Sequence, residues 1–176
     1  MNSAHTLDRR AFLHLGAIAV GAASLPGRAA AAVAGPEVTT KDCDVLVYGS
    51  TAGGISAALE AARRGCRVIL ACPKFHPGGM VASGLCTTDA RQQHLYGGIV
   101  TEFIAAVRAE YTRTLGESSP EWPLIREGWF YEPSVAERVF DQLINRETSL
   151  SYLRGHHLTR ASVAGRRVTA IELDAP

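Results

Sequence analysis

The chain has 176 residues, 47% of them hydrophobic and 20% charged, with a formal net charge of +1. These values suit a soluble globular protein, and no basic stripe is evident, which argues against nucleic acid as the main partner.

The first segment stands apart from the fold. Asp8-Arg9-Arg10-Ala11-Phe12-Leu13-His14 leads into a Gly/Ala-rich, mildly apolar run from Leu15 to Leu25, then into small residues around Ala32-Val33-Ala34. A charged region, an apolar region and an Ala-x-Ala site in that order make a cleavable signal peptide. The paired arginines before Ala-Phe-Leu look like a bacterial twin-arginine signal. The apolar run is short against the roughly 20 residues that a membrane span needs. The expectation is therefore recognition by the twin-arginine export machinery, cleavage after Ala34, a periplasmic or extracellular product, and no stable membrane anchor after cleavage. Residues 1–34 are read as the signal, 35–41, with Pro36 and two threonines, as a linker, and 42–176 as the folded part. Cys43, Cys66, Cys72 and Cys86 are permitted a disulfide in an exported protein, with no pairing given by the sequence. Three of them flank or lie in predicted strands, where small apolar packing is the plainer role.

The continuous apolar run from about Cys43 to Tyr48 predicts a first strand, buried on both faces in a parallel sheet. Gly49-Ser50-Thr51-Ala52-Gly53-Gly54 follows, and Ile55, Ala58, Leu59 and Ala62 then recur at the spacing of one buried helical face. Gly65 stops that helix, and the run from Val68 to Cys72 is a second strand. Strand, glycine turn, helix and strand together predict a dinucleotide-binding βαβ unit, whose helix N-terminus presents free N–H groups to a pyrophosphate. The glycine pattern G-x-G-x-x-G meets Gly49 and Gly54 but finds Thr51 at its second glycine. The added Cβ there predicts a phosphate seated further out, with the threonine hydroxyl as a bond donor. Cys72 stands about 20 residues after the first glycine, where an acidic residue commonly accepts the ribose hydroxyls. Lys74 leaves open a phosphorylated ribose, or a merely solvated side chain.

Gly78 and Gly79 open a long loop to Asp89 in which Ser83, Gly84, Thr87 and Thr88 add small donors. Such loops inside a compact domain are usually functional. After Tyr96-Gly97-Gly98, the stripe Ile99, Val100, Phe103, Ile104, Val107 and Tyr111 predicts a core-facing helix stopped at Gly116. Glu117 to Gly128 reads as a loop. Pro133 opens a helix burying Val135, Ala136, Val139, Phe140, Leu143 and Ile144, and Ser149 to Leu153 is a third strand. Thr159 to Val163 and Val168 to Leu173, around Ala164-Gly165-Arg166-Arg167, predict a hairpin. The fold class is α/β: a Rossmann-like domain with a βαβ start, a parallel sheet and a β-hairpin.

The segments Val45 to Ile55, Pro73-Lys74-Phe75-His76-Pro77-Gly78-Gly79-Met80 and Ser83-Gly84-Leu85 closely resemble the N-terminal half of a bacterial family of FAD-dependent oxidoreductases. The likeness continues through Gly97-Gly98 and Glu132 to Phe140, and covers nearly everything from Asp44 to Leu173. In that family the turn typically reads Gly-Ala-Thr-Pro-Gly-Gly, so Thr51 is a family trait, while the ribose position is usually Glu, so Cys72 is a departure. The resemblance implies FAD as cofactor, held by Gly49, Ser50, Thr51, Ala52, Gly53 and Gly54 of the turn, by Cys72, Pro73 and Lys74 after the second strand, and by Gly78, Gly79, Met80 and Ser83 of the loop. It places the loop along the diphosphate and flavin, and the hairpin in the sheet on the adenine side.

Other polar groups carry less. His76 and His94 flank the loop as proton donors or covalent attachment points for a flavin, and Asp89 and Arg91 lie near enough in sequence to orient a substrate. His156-His157 lacks a third ligand at metal spacing, so exposed turn residues are expected and no metal. No Ser-His-Asp or Cys-His arrangement is visible, and neither catalytic residues nor a substrate are specified. The chain ends at Ala175-Pro176 directly after a strand-like run, which suggests the N-terminal part of a FAD-binding domain. The leading reading is an exported flavoenzyme passing hydride or electrons from an organic small-molecule substrate. The alternatives are a truncated, non-catalytic nucleotide-binding fragment and a secreted NAD(P)-binding protein.

Overall fold

Three short strands, β1 (Val45–Tyr48), β2 (Val68–Cys72) and β3 (Leu150–Arg154), form a parallel sheet in the order β1-β2-β3. The structure is a computed structural model that describes residues 39–176, so the signal segment and most of the linker lie outside the described residues. Tyr48 pairs with Ala71 and Cys72 with Arg154, which brings the C-terminal ends of all three strands to one edge of the sheet.

All five residues of β2 are buried, as a continuous apolar run flanked by two strands should be. The expectation that β1 is buried on both faces does not hold, because Leu46 is 37% and Tyr48 40% exposed. Among the described residues β1 has a hydrogen-bonded strand on one side only, and only its Val45 and Val47 pack on the core.

Helix α1 (Ala52–Arg63) buries the four predicted residues, Ile55, Ala58, Leu59 and Ala62, and Gly65 follows its end with a left-handed φ of +84°. Helix α2 (Ile99–Thr114) buries Phe103, Ile104, Val107 and Tyr111, but Val100 of the predicted stripe is exposed and Ile99 only half-buried. Both belong to the first turn, where Ile99 still packs on the core and Val100 faces solvent. Glu110 is buried too, a position no apolar pattern reveals, and Arg113 at 2.8 Å and Arg138 at 3.3 Å neutralise it. The Arg113 hydrogen bond, backed by Arg138, holds its carboxyl below the usual range.

Helix α3 (Pro133–Arg146) buries all six predicted residues. Phe103 stacks on Phe140 with ring centres 4.6 Å apart, and Arg63 of α1 bridges Glu102 of α2 and Glu147 at 2.8 and 2.7 Å. Each fully buried Leu, Ile or Val here contributes about 1.5–3 kcal/mol relative to exposure, so Ile55, Leu59, Leu70, Val107, Val139 and Leu143 form the main source of stability. The segment expected as a plain loop contains a 3-10 turn, Trp122–Gly128, with left-handed backbone at Arg126 and Glu127.

Strands β4 (His157–Ala164) and β5 (Arg167–Asp174) make the predicted antiparallel hairpin, a second sheet in which β4 is exposed along its length. The expected pair of exposed turn histidines is corrected in part. His156 is half-buried, its Nδ1 lying 2.7 Å from the Arg154 carbonyl and its amide donating to the Cys72 carbonyl at 2.9 Å, while His157 is exposed and starts β4.

Candidate cofactor site at the sheet edge

The glycine turn leaves β1 through Gly49, whose amide donates to the Ala71 carbonyl at 2.7 Å and whose φ of +115° lies where a side chain is strained. Ser50 is 3% exposed, and its carbonyl accepts from the Gly78 amide at 2.7 Å. Thr51 then caps α1. Its backbone is extended, its Oγ1 accepts from the Gly54 amide at 3.2 Å, and its carbonyl accepts from the Ile55 amide at 2.8 Å. The lone pairs of the threonine hydroxyl thus serve the helix itself, a role the motif spacing alone did not indicate.

That cap leaves the amides of Ala52 and Gly53 without a hydrogen bond among the described residues. They form the first turn of α1, at the positive end of its dipole, with no acidic residue in that turn. Two free N–H groups at such a point bind an anion, and a diphosphate fits them. Gly54 serves the packing instead. A Cβ there would run into the Gly49 carbonyl, so this glycine lets the helix start hard against the end of the strand.

The loop of Gly78 and Gly79 is fastened to the same turn. Thr51 and Gly78 pair as a parallel bridge, and a Cβ on Gly79 would come within 3.3 Å of Thr51. Gly78, at φ +101°, also leaves room for Ala82 and the Phe140 ring, each within 2.8 Å of where its Cβ would be. The backbone then makes a 3-10 turn over Gly79–Ala82. Met80 is 70% exposed and Ser83 exposed, so both remain free to meet a ligand. The far end of the loop is not loose, since the Thr88 amide donates to the Trp129 carbonyl and the Tyr131 amide to the Cys86 carbonyl, each at 2.9 Å.

At the end of β2, Cys72 is 5% exposed and turned into the protein. Its Sγ accepts from the Lys74 amide at 3.4 Å. Burial by itself raises its thiol, but the Ser50 hydroxyl and the Ser50 and Lys74 amides outweigh that and hold it below the ordinary range. Pro73 is half-buried, and Lys74 is exposed to solvent. From β3 the Tyr152 hydroxyl reaches the same place, wholly buried and with no hydrogen-bond partner among the described residues. Burial pushes its phenol up, the nearby Ser50 hydroxyl offsetting part of this. Arg154 holds the Tyr152 ring at 4.5 Å, pairs with Asp141 at 2.6 Å and donates to the Phe75 carbonyl at 3.1 Å.

The structure thus gathers Gly49 to Gly54, Cys72 to Lys74 and Gly78 to Met80 around the C-terminal ends of β1 and β2. Ser83 is exposed at the end of the 3-10 turn, its amide donating to the Met80 carbonyl at 3.3 Å. His76 lies 2.8 Å from Glu137 and is largely exposed, while His94, Asp89 and Arg91 are exposed. No local motif marks Tyr152, Arg154 or Asp141 as part of this place. The β2–β3 register, with Leu70 opposite Tyr152 and Cys72 opposite Arg154, brings in the first two, and Arg154 pairs with Asp141 of α3.

A family model described as FAD dependent oxidoreductase matches residues 44–175. No curated protein matches the chain.

Proposed function

The chain belongs to the FAD dependent oxidoreductases, and on that premise we propose that it is an exported flavoenzyme whose Ala52 and Gly53 amides hold the FAD diphosphate. FAD is the cofactor that the family implies. The observation that supports this placement is the pair of unpaired amides at the α1 N-terminus, beside a glycine turn that no side chain obstructs. When bound, the flavin accepts hydride or electrons, and the protein supplies position and electrostatics. Gly49 and Gly54 keep the helix end close to the strand. Cys72 stands where the ribose is expected. Gly78 and Gly79 fix the loop against Thr51, and Met80 and Ser83, both exposed, would be among the residues that meet the cofactor.

Export rests on the order of Arg9-Arg10, the apolar run and Ala32-Val33-Ala34. A twin-arginine route carries folded proteins, which suits a protein loaded with its cofactor before it leaves the cytoplasm. The substrate is an organic small molecule that gives up hydride or electrons.

The purified full-length protein is expected to be yellow, or to become so on reconstitution with FAD, and to melt at higher temperature with FAD than with NAD or NADP. A colourless protein that FAD neither colours nor stabilises overturns this reading. Stabilisation by NAD or NADP alone would favour a nicotinamide-binding protein instead, and flavin binding without turnover of any donor would leave a non-catalytic nucleotide-binding fragment.

A further inference from the structure

The chain that leaves β2 at Cys72 is tied down at both ends before it enters the glycine loop. At the loop end, the Gly78 amide donates to the Ser50 carbonyl at 2.7 Å, which fastens it to the turn before α1. At the strand end, three successive residues hold three carbonyls. The His156 amide donates to Cys72 at 2.9 Å, the Gly155 amide to Lys74 at 3.3 Å, and Arg154 Nη1 to Phe75 at 3.1 Å. The first two are backbone bonds, whereas the third depends on one side chain. Arg154 is braced in turn: its Nη2 donates to Asp141 of α3 at 2.6 Å, and its guanidinium lies 4.5 Å from the centre of the Tyr152 ring. Gly155, at φ +72°, adds a steric match, since the Phe75 ring lies 2.7 Å from where its Cβ would be.

We propose that Arg154, braced by Asp141, is a positioning residue for the adenosine ribose of the cofactor, acting through the Phe75 carbonyl on the segment from Cys72 to Lys74. This rests on the reading of the sheet edge as a FAD site. In a βαβ dinucleotide unit the end of the second strand meets the ribose, while the helix N-terminus meets the diphosphate.

One guanidinium here serves a carboxylate, a carbonyl and a ring face together, which its planar fork permits and an ammonium does not. Arg154 stands opposite Cys72 in the β2–β3 register, so it acts where the strand ends. The two places are held by different bonds. Residues 154–156 fix the strand exit, and the Thr51 cap and Gly54 fix the start of α1. Loss of Arg154 should therefore loosen the ribose end and leave the diphosphate end as it is.

The test compares the full-length parent with Arg154→Gln, each stripped of flavin and titrated with FAD, ADP and inorganic pyrophosphate in a calorimeter. Arg154→Gln should bind FAD and ADP about tenfold more weakly, as the loss of a hydrogen bond from a charged group predicts, and pyrophosphate as the parent does. A general loosening of the fold would weaken all three ligands together, and that result overturns the proposal. Unchanged affinity for FAD and ADP overturns it too. If Arg154→Gln failed to fold, Asp141→Asn would carry the same comparison, since it removes the charge behind Arg154 while leaving the guanidinium in the chain; it should show the same pattern with a smaller loss. A parent protein that binds neither FAD nor ADP overturns the FAD reading itself, whereas a parent that binds both and a variant that matches it overturn only the role of Arg154.

Discussion

Replacing Gly54 by alanine sets two effects of opposite sign against each other. In a helix interior alanine is better than glycine by about 1 kcal/mol. At Gly54, however, the new methyl meets the Gly49 carbonyl and comes within 3.5 Å of Val47 Cγ1, so the start of α1 must move away from the end of β1. Overpacking of that kind costs about 1–3 kcal/mol, and more where the obstacle is backbone. The steric term should win, leaving Gly54→Ala about 2 kcal/mol less stable than the parent, a fall in Tm of about 7 °C for a domain of this size. Gly53→Ala is the internal control: its Cβ would find nothing nearer than Thr51 Oγ1 at 4.0 Å, so it should gain up to about 1 kcal/mol. Thermal and urea unfolding of the two variants, each without added cofactor, measures the difference. Equal stabilities, or a Gly54→Ala variant more stable than the parent, would refute the idea that this glycine exists for the strand–helix approach.

Three further expectations follow from other parts of the molecule. Gly49→Val forces a branched side chain into φ +115° at the mouth of the turn and should abolish flavin retention, read as loss of the visible absorption of the reconstituted protein; a fully yellow Gly49→Val protein would contradict the site. Arg67 donates hydrogen bonds to Asp44 and lowers its pKa from 3.8 to about 2. A carboxylate depressed in the folded state contributes stability that is fully present above its unfolded pKa and is lost as pH falls through the folded one. The urea midpoint should therefore decline between about pH 4 and pH 2 with a component that Asp44→Asn removes, and identical pH profiles for the two proteins would count against it. Replacing Arg9 and Arg10 by lysine should leave an uncleaved precursor in the cytoplasm, detected by immunoblot of cell fractions, and unaltered cleavage would remove the twin-arginine reading.

Much of the architecture follows from local chemistry. The buried faces of α1 and α3 are legible residue by residue, because a helix repeats every 3.6 residues and its apolar stripe must face the core. The turn from Gly49 to Gly54 is equally legible, since Gly49 lies at left-handed φ and Gly54 at a contact where no side chain fits. Interactions between segments distant in sequence leave no such mark. β1 has the same apolar composition as a central strand and differs only in lacking a neighbour on one side among the described residues. Glu110 looks like a solvated helix residue until Arg138 arrives from α3.

The sequence by itself determined the βαβ unit, the hairpin and the identity of the glycine turn, because each depends on residues within a few positions of one another. Only the tertiary structure decided what Thr51 and Cys72 do. Thr51 caps α1, because the Gly54 amide lies within reach of its hydroxyl. Cys72 turned from an absent carboxylate into a buried sulfur that accepts the Lys74 amide.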